Sequence, residues 1–198
     1  MKTFLFDIGN VLTDFDFNDM LVAYANGGEV LPLSQEDLDF YDRVERGVMG
    51  DQDYVDYLNQ TRGLGWTRDD LIALWQRMFS VNEKGRALFD AAASAGVRIY
   101  TLSNISAFHI DAITSKWDGF FDGAEGLFLS YQIGARKPEP EIYRHVLGQL
   151  GVAGEDCFFV DDLPENVEAA RSHGINAHLF VPENHVAIEE AAGAFFGL

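Results

Sequence analysis

The sequence predicts an α/β protein with a doubly wound parallel sheet and a small all-helical insert. Short runs that are apolar throughout alternate with helical segments over most of the chain, which is typical of parallel strands covered on both faces. Residues 17–80 interrupt this alternation and contain no convincing strand. We therefore expect a core domain formed by residues 1–16 and 81–198, and a helical cap domain formed by residues 17–80.

Five strands are predicted, each a short apolar run that stops at a polar residue, a glycine or a proline. They cover residues 4–6, 97–102, 127–129, 157–160 and 177–181. The carboxyl ends of parallel strands lie at one edge of a sheet, and ligands bind beyond that edge. The residues that directly follow the strands are therefore the first candidates for a functional site.

Three helices are predicted between the later strands, and each ends at a glycine, the residue that most readily terminates a helix. They cover residues 84–95, 139–150 and 165–173. In the insert, Ser34 precedes Asp37 by three residues and Thr67 precedes Asp70 by three. Both pairs resemble capping boxes, which mark the start of a helix. We expect three or four helices in the insert.

The charge balance argues against two classes of partner. The 198 residues include 32 acidic and 14 basic side chains, which gives a net charge of −18. Nucleic acids and anionic membranes both attract basic surfaces, so neither is an expected partner. A small phosphorylated metabolite can still bind where a divalent cation supplies positive charge. We expect most of the acidic residues to lie on solvated helix faces.

Cys157 is the only cysteine, so the chain forms no internal disulfide, and its apolar neighbours predict a buried thiol. The first aspartate, Asp7, comes too early for a signal-peptide core. No apolar run approaches the length that spans a membrane. We therefore expect a cytoplasmic protein, and we expect it to be a monomer or a weak homodimer.

Polar residues mark the ends of three strands, and a basic residue lies in a loop before the fourth strand. These positions are Asp7, Ser103-Asn104, Lys137 and Asp161-Asp162. Crowded carboxylates repel one another, so such a cluster predicts a cation, and ligation by oxygen alone favours Mg²⁺. A carboxylate can attack phosphorus and form an acyl phosphate. The cation and Lys137 would neutralise the phosphoryl charge, and Ser103 would donate a hydrogen bond.

Each of these residues has a simpler interpretation when it is taken alone. Asp7 is a plausible turn residue, Asp161 and Asp162 are plausible helix caps before Pro164, and Lys137 is a plausible solvated loop lysine. These interpretations together require four coincidences at one edge of the sheet. We therefore favour a functional site.

Four segments resemble, in order, the motifs of the haloacid dehalogenase (HAD)-like hydrolases. They are Phe6-Asp7-Ile8-Gly9-Asn10-Val11-Leu12, Leu102-Ser103-Asn104, Arg136-Lys137-Pro138-Glu139-Pro140 and Phe159-Val160-Asp161-Asp162-Leu163-Pro164-Glu165-Asn166. One such segment is weak evidence, whereas four in the family's order cover nearly the whole chain and are specific. The resemblance implies a Rossmann-like core and a helical cap at the position of the insert.

The resemblance also implies a metal site with Mg²⁺ as the cofactor. Asp7 would be both the nucleophile and a metal ligand, and the backbone carbonyl of Gly9 would be a second ligand. Asp162 would bind the metal directly, and Asp161 would bind or orient it.

The remaining roles implied by the resemblance concern the phosphate. Ser103 and Lys137 would hold it, with Asn104 adding a contact, and Asn166 would support the neighbouring loop. Lys137 would also keep the Asp7 carboxylate ionised.

Gly9 departs from the usual phosphatase pattern, in which a second aspartate two residues after the nucleophile protonates the leaving oxygen. This segment is more similar to a subgroup that includes bacterial α-D-glucose-1-phosphate phosphatases. General acid catalysis contributes roughly 10²–10⁴-fold, and its loss matters least for a leaving group that is already stabilised, such as an anomeric hydroxyl. Asp14 and Asp16 are candidate substitutes, although a turn into the cap is the simpler role for both. His109 is left unassigned.

The leading hypothesis is a magnesium-dependent phosphomonoesterase that acts on a small phosphorylated metabolite through an aspartyl-phosphate intermediate. A sugar phosphate, and in particular a sugar 1-phosphate, is the favoured substrate. A metal-free 2-haloacid dehalogenase and a catalytically weak phosphate-sensing protein are the alternatives. Asp42, Glu45 and Arg46 either line the cap side of the site or are ordinary charges on a helix surface.

Overall fold

The computed structural model describes all 198 residues and contains seven strands and ten α-helices. The strands are β1 (Thr3–Phe6), β2 (Thr13–Asp14), β3 (Ser80–Val81), β4 (Arg98–Ser103), β5 (Gly126–Leu129), β6 (Cys157–Asp161) and β7 (Asn176–Leu179). The helices are α1 (Phe17–Tyr24), α2 (Gln35–Glu45), α3 (Asp51–Arg62), α4 (Arg68–Met78), α5 (Glu83–Ser94), α6 (Ala107–Lys116), α7 (Ser130–Ile133), α8 (Pro140–Leu150), α9 (Pro164–Ser172) and α10 (His185–Phe196).

Five strands form a parallel sheet in the order β5-β4-β1-β6-β7, with β1 in the middle. The chain runs from β1 to β4 and β5 on one side, and β6 and β7 lie on the other. This reversal creates a switch point at the carboxyl end of β1, where ligands bind in sheets of this kind. The α/β prediction and its five strands are confirmed, with boundaries that differ by at most two residues.

The side chains of β1 alternate between two apolar layers. Phe4 and Phe6 join a cluster that includes Phe89 of α5, whereas Leu5 joins a separate cluster that includes Ile142 of α8. Because successive residues of a strand point to opposite faces, a strand buried on both faces has no polar side. This burial accounts for the uniformly apolar strands of the sequence.

Residues 17–78 form the four-helix insert, α1 to α4, in agreement with the three or four helices expected there. The Ser34 and Thr67 capping boxes are both present. The short antiparallel pair β2–β3, where Thr13 lies opposite Val81, joins the insert to the sheet. Two-residue strands have no detectable periodicity, so the sequence does not predict them. The division into core and cap domains stays a prediction.

Helix α6 lies between β4 and β5 and carries His109, which the sequence places at the start of or within a helix. It packs against α4, and Phe108, His109, Ala112 and Ile113 are buried. This packing also places the insert next to the carboxyl ends of β1 and β4. None of the helices combines the length and the apolar character needed to cross a membrane.

Candidate active site

The polar residues predicted at the strand ends come together at the switch point. Asp7 directly follows β1, Ser103 ends β4 and Asp161 ends β6. The backbone N–H of Asp7 donates to the carbonyl of Val160 at 3.0 Å, so the β1–β6 ladder continues for one residue beyond β1. This bond fixes the backbone that carries the Asp7 carboxylate.

Lys137 lies in the middle of this group with only 2% of its surface exposed. Its Nζ is 3.0 Å from Asp7 Oδ1 and 2.5 Å from Asp161 Oδ2, and it donates to the Leu102 carbonyl at 2.9 Å. Burial opposes the charged form of Lys137, but the Asp161 and Asp7 carboxylates outweigh it and raise the pKa of the ammonium. The buried lysine is therefore a fixed positive charge.

Asp7 is held by two donors through one of its oxygens. Oδ1 accepts from the Ile8 N–H at 2.7 Å and lies beside Lys137, which leaves Oδ2 without a partner in the chain. Burial raises the pKa of Asp7 to about 7, with Lys137 acting against the rise and Asp161 and Asp162 adding to it. A cation at this point would favour the ionised carboxylate.

Asp161 and Asp162 are neighbours with different surroundings. Asp161 is fully buried and accepts from the N–H of Leu163 and from the Asn166 amide, both at 2.9 Å. Asp162 is only partly buried, and it accepts from the Asn10 amide at 2.9 Å. Burial raises the pKa of Asp162, although the Asn10 bond lowers it. Asp162 thus keeps free oxygen lone pairs, whereas Asp161 already has three donors.

These residues fit a small divalent cation. Carboxylate oxygens of Asp7, Asp161 and Asp162 lie within 4.8 Å of one another, and the set contains oxygen donors alone. Asp7 and Asp162 have oxygens that remain available for direct ligation. Asp161 is predicted either to bind the metal or to orient it, and its three hydrogen bonds favour the orienting role. Gly9 lines a cavity together with Asp7 and Asp162, and ligation by its carbonyl stays a prediction.

Asn104 and Ser103 follow β4 but have different contacts. The Asn104 amide donates to the Lys137 carbonyl at 2.8 Å, and its oxygen accepts from the Lys137 N–H at 2.7 Å. Asn104 therefore holds the backbone that positions the lysine, and its contact with phosphate stays a prediction. Ser103 lines the cavity, and its hydroxyl forms no hydrogen bond within the chain.

Phe15 occupies the space beside Gly9. A Cβ on Gly9 would lie 3.0 Å from Phe15 Cε1, which is closer than side chains normally approach. The Phe15 ring is held in turn by edge contacts with Trp75 and Phe79, each at a centroid distance of 5.8 Å. An aromatic side chain therefore stands where an aspartate at position 9 would have to fit.

The two acids considered as substitutes for the missing general acid lie away from this cavity. Asp14 accepts from the Asn82 amide at 2.7 Å, and Asp16 caps α1 by accepting from the Asn18 N–H at 2.8 Å. Neither residue lines the cavity that contains Asp7. Both occupy the junction between the sheet and the four-helix insert, which is the simpler role considered for them.

The charged residues of α2 connect the insert to the loop that carries Lys137. Arg136 is 2.7 Å from Asp42 and 2.8 Å from Glu45, and Arg46 pairs with Asp42 at 2.7 Å and with Glu139 at 2.5 Å. Only Glu45 and Arg136 of this network line the cavity. The sequence does not reveal the pairing because its partners are about ninety residues apart.

His109 and Tyr41 form a hydrogen-bonded pair in the cavity wall that sequence reasoning did not identify. The Ser106 N–H donates to His109 Nδ1 at 3.2 Å, so the ring proton lies on Nε2, which is 3.1 Å from the Tyr41 hydroxyl. The Tyr41 oxygen accepts a hydrogen bond from this N–H, and its own O–H can point into the cavity. Burial lowers the pKa of His109 to about 3.

This low pKa predicts a loss of stability in mild acid. The unfolded histidine titrates near pH 6.5, so the unfolded chain alone binds a proton at His109 between about pH 6.5 and 3. From pH 7.5 to pH 5 the free energy of unfolding should fall by about 2 kcal/mol on account of this residue. Urea unfolding of the native chain and of His109→Gln, in a chelator, should show that difference in pH dependence. Equal pH dependence would contradict a neutral buried imidazole.

A cavity of about 480 Å³ extends from the acidic residues to the four-helix insert. Asp7, Ser103, Lys137 and Asp162 line one part of it, and aromatic and aliphatic side chains of the insert line the other. Its volume falls within the range of about 300–1,000 Å³ that is usual for sites binding small organic molecules.

The fold and the site define an α/β enzyme with an acidic centre at the carboxyl edge of its sheet. The chain belongs to the haloacid dehalogenase-like hydrolases, because the family model matches residues 1–174. The four motif segments all lie within that match.

Two relatives are similar over nearly their whole length. A sesquiterpene phosphatase of Aspergillus oryzae is 30% identical over 188 residues, which cover 90% of this chain and 89% of the relative. A D-ribitol-5-phosphate phosphatase of Bacteroides thetaiotaomicron is 25% identical over 195 residues, which cover 93% of each. The substrates in these two names have different chemistry, whereas both names describe phosphatases.

Solved structures show the same fold. A HAD family enzyme of Bacteroides thetaiotaomicron, solved as a magnesium complex, has a TM-score of 0.77 at 22% identity and covers 94% of this chain and 98% of that one. The L-2-haloacid dehalogenase of Xanthobacter autotrophicus has a TM-score of 0.61 at 18% identity, with 98% and 84% covered. At these identities the likeness concerns the fold alone.

Proposed function

We propose that this protein is a magnesium-dependent phosphomonoesterase that acts on a small phosphorylated metabolite through an aspartyl-phosphate intermediate. The observation that carries the proposal is the position of Asp7, with one free carboxylate oxygen, beside a buried lysine and two further aspartates. The phosphatase relatives, each similar over about nine-tenths of its length, support the same reaction.

In the proposed reaction, Asp7 Oδ2 attacks the phosphorus atom and the ester P–O bond breaks. The oxygen released takes up a proton, and water then attacks the acyl phosphate, which frees inorganic phosphate and restores the carboxylate. Lys137 and Ser103 stabilise the charge on the phosphoryl oxygens. A bound Mg²⁺, held by Asp7 and Asp162, would supply Lewis-acid stabilisation of the same charge.

Magnesium dependence is tested by measuring phosphate release from acetyl phosphate and p-nitrophenyl phosphate. The cation would offset the repulsion among three carboxylates and the incoming phosphate, so removing it should lower the rate by at least about 10²-fold. Release should fall when EDTA is added and return when excess Mg²⁺ is supplied. Equal release with and without the chelator would contradict the proposal.

The preference for a sugar 1-phosphate is the finer part of the proposal, and it rests on Gly9. Without a general acid, hydrolysis should be faster for glucose 1-phosphate than for glucose 6-phosphate, because the anomeric oxygen is the better leaving group. We expect kcat/KM to favour the 1-phosphate by about tenfold or more. Equal or faster hydrolysis of the 6-phosphate would contradict the leaving-group explanation.

The dehalogenase alternative shares the fold and uses the same carboxylate to attack carbon. The carboxylate cluster is better suited to a cation than to a metal-free reaction. Chloride release from 2-chloropropionate, with no phosphate release from any ester, would favour the alternative. The cytoplasmic location, the monomeric or weakly dimeric state, and the lack of nucleic-acid and membrane partners stay predictions.

A further inference from the structure

The part of the cavity that is formed by the four-helix insert and its junction is apolar. Its lining side chains are Phe15, Phe17, Met20, Leu38, Trp75 and Phe79. Met20, Trp75 and Phe79 are buried, so they form a preformed wall. The phosphate-facing residues Asp7 and Lys137 lie in the core, at the carboxyl edge of the sheet. The cavity therefore has one charged region and one extended apolar region.

Most of the polar side chains that interrupt the apolar wall have charged or hydrogen-bonding partners within the protein. Arg136 and Glu45 form an ion pair at 2.8 Å. His109 bonds to Ser106 and to the Tyr41 hydroxyl. A polyhydroxylated substrate would lose water from several hydroxyl groups in this cavity. Only four buried atoms of the lining are without a hydrogen-bond partner and could replace that water: Glu45 Oε2, Trp75 Nε1, Arg136 Nε and Asn166 Oδ1. Each unpaired buried hydroxyl costs about 1–3 kcal/mol of binding free energy.

Two large apolar side chains that the four-helix insert contributes to the cavity lining are exposed to solvent. Phe17, at the start of α1, is 48% exposed, and Leu38 of α2 is 47% exposed. Apolar groups that remain open to water at a cavity are covered favourably by an apolar ligand. Their position extends the apolar wall toward the solvent.

From this lining we infer that the substrate is a phosphate monoester whose organic part is a hydrocarbon group. This inference rests on the proposed phosphatase function and departs from the sugar 1-phosphate preference, which depends on the leaving group alone. The phosphate lies against Lys137 and Ser103, and the hydrocarbon lies against the aromatic wall. Phe15 adds to this apolar wall, because its ring fills the space beside Gly9 where an acidic side chain would otherwise lie.

The test separates binding of the organic part from leaving-group chemistry. A series of n-alkylphosphonates with two to ten carbons is measured as competitive inhibitors of acetyl phosphate hydrolysis by the native protein with Mg²⁺. The inhibition constant should fall by about three- to fourfold for each methylene until the cavity is filled. Hydroxylated phosphonates of the same carbon number should bind at least about tenfold more weakly than the alkyl compounds.

Variants of the exposed wall residues locate the effect. Leu38→Gln and Phe17→Gln should each reduce the preference for the ten-carbon over the two-carbon phosphonate by about threefold or more. Val22→Gln is the matched control, because Val22 is 58% exposed on α1 and does not line the cavity. It should leave the preference unchanged. A cooperative urea unfolding transition shows that each variant is folded.

Inhibition constants that do not change with chain length, or tighter binding of the hydroxylated compounds, would overturn the hydrocarbon inference. If the native protein hydrolyses neither acetyl phosphate nor p-nitrophenyl phosphate, the proposed function itself is wrong. Calorimetric titration with the same phosphonates then still measures whether affinity rises with chain length. The two failures are therefore distinguishable.

Discussion

Asp7→Asn should lower kcat/KM for phosphoester hydrolysis by about 10⁴-fold or more while the protein stays folded. The carboxamide keeps the size of the side chain and can still accept from the Ile8 N–H, which donates to Oδ1 at 2.7 Å in the native chain. It has no anionic oxygen to attack phosphorus. Because burial disfavours the charged form of Asp7, the neutral side chain should not lower the free energy of unfolding by more than about 1 kcal/mol.

The measurement is phosphate release from p-nitrophenyl phosphate, together with urea unfolding of the same preparations. Asp14→Asn is the matched control, since Asp14 is another acid close to the first strand and its amide replacement can still accept from Asn82. Its activity should stay within about threefold of the native value. Full activity in Asp7→Asn, or an equal loss in Asp14→Asn, would show that the nucleophile is a different group.

The sequence predicts the sheet and the candidate site residues because both leave local patterns in the sequence. An uninterrupted apolar run indicates a strand that is buried on both faces, and Asp7 or Asp161 after such a run marks the edge of the sheet where the strand ends. The convergence of these residues follows from parallel topology. The five strands and the helical insert follow from periodicity and capping, as at Ser34 and Thr67.

Other parts of the site depend on contacts between distant segments, and no local pattern records them. Asn10 binds Asp162 across 152 residues, and Tyr41 binds His109 across 68. Phe15 lies in the sequence between the first strand and the helical insert, where nothing indicates a role in the site. Its ring nevertheless limits what fits beside Gly9. The sequence shows that position 9 lacks a carboxylate, whereas only the packing shows what fills the space.

The apolar wall illustrates the same limit for substrate preference. Gly9 favours a substrate whose leaving group is already stabilised, which is the basis of the sugar 1-phosphate prediction. Trp75 is buried, as expected of a side chain that packs the insert. The cavity shows that Trp75 and Phe79 also line the space beside the acidic residues. Trp75 therefore serves both the packing of the insert and the lining of the cavity.

Lys137→Met should cost both activity and stability. Its ammonium lies 3.0 Å from Asp7 and 2.5 Å from Asp161, and the side chain is almost fully buried. Removing one partner of a buried ion pair leaves an uncompensated charge, and the expected loss is about 3–5 kcal/mol of unfolding free energy. Loss of a charged donor to the phosphoryl group should lower kcat by about 10²–10³-fold. Lys84→Met, at an exposed lysine, should change both quantities little.

A double variant separates the charge from the packing of the lysine chain. If the stability loss in Lys137→Met comes from carboxylates left unpaired, then neutralising one of them should restore part of it. Lys137→Met combined with Asp7→Asn should therefore be more stable than the sum of the single changes predicts, by at least about 1 kcal/mol. Strict additivity in urea unfolding would assign the loss to packing alone. A favourable coupling would show that the lysine is retained because the acidic residues of the site require a fixed positive charge.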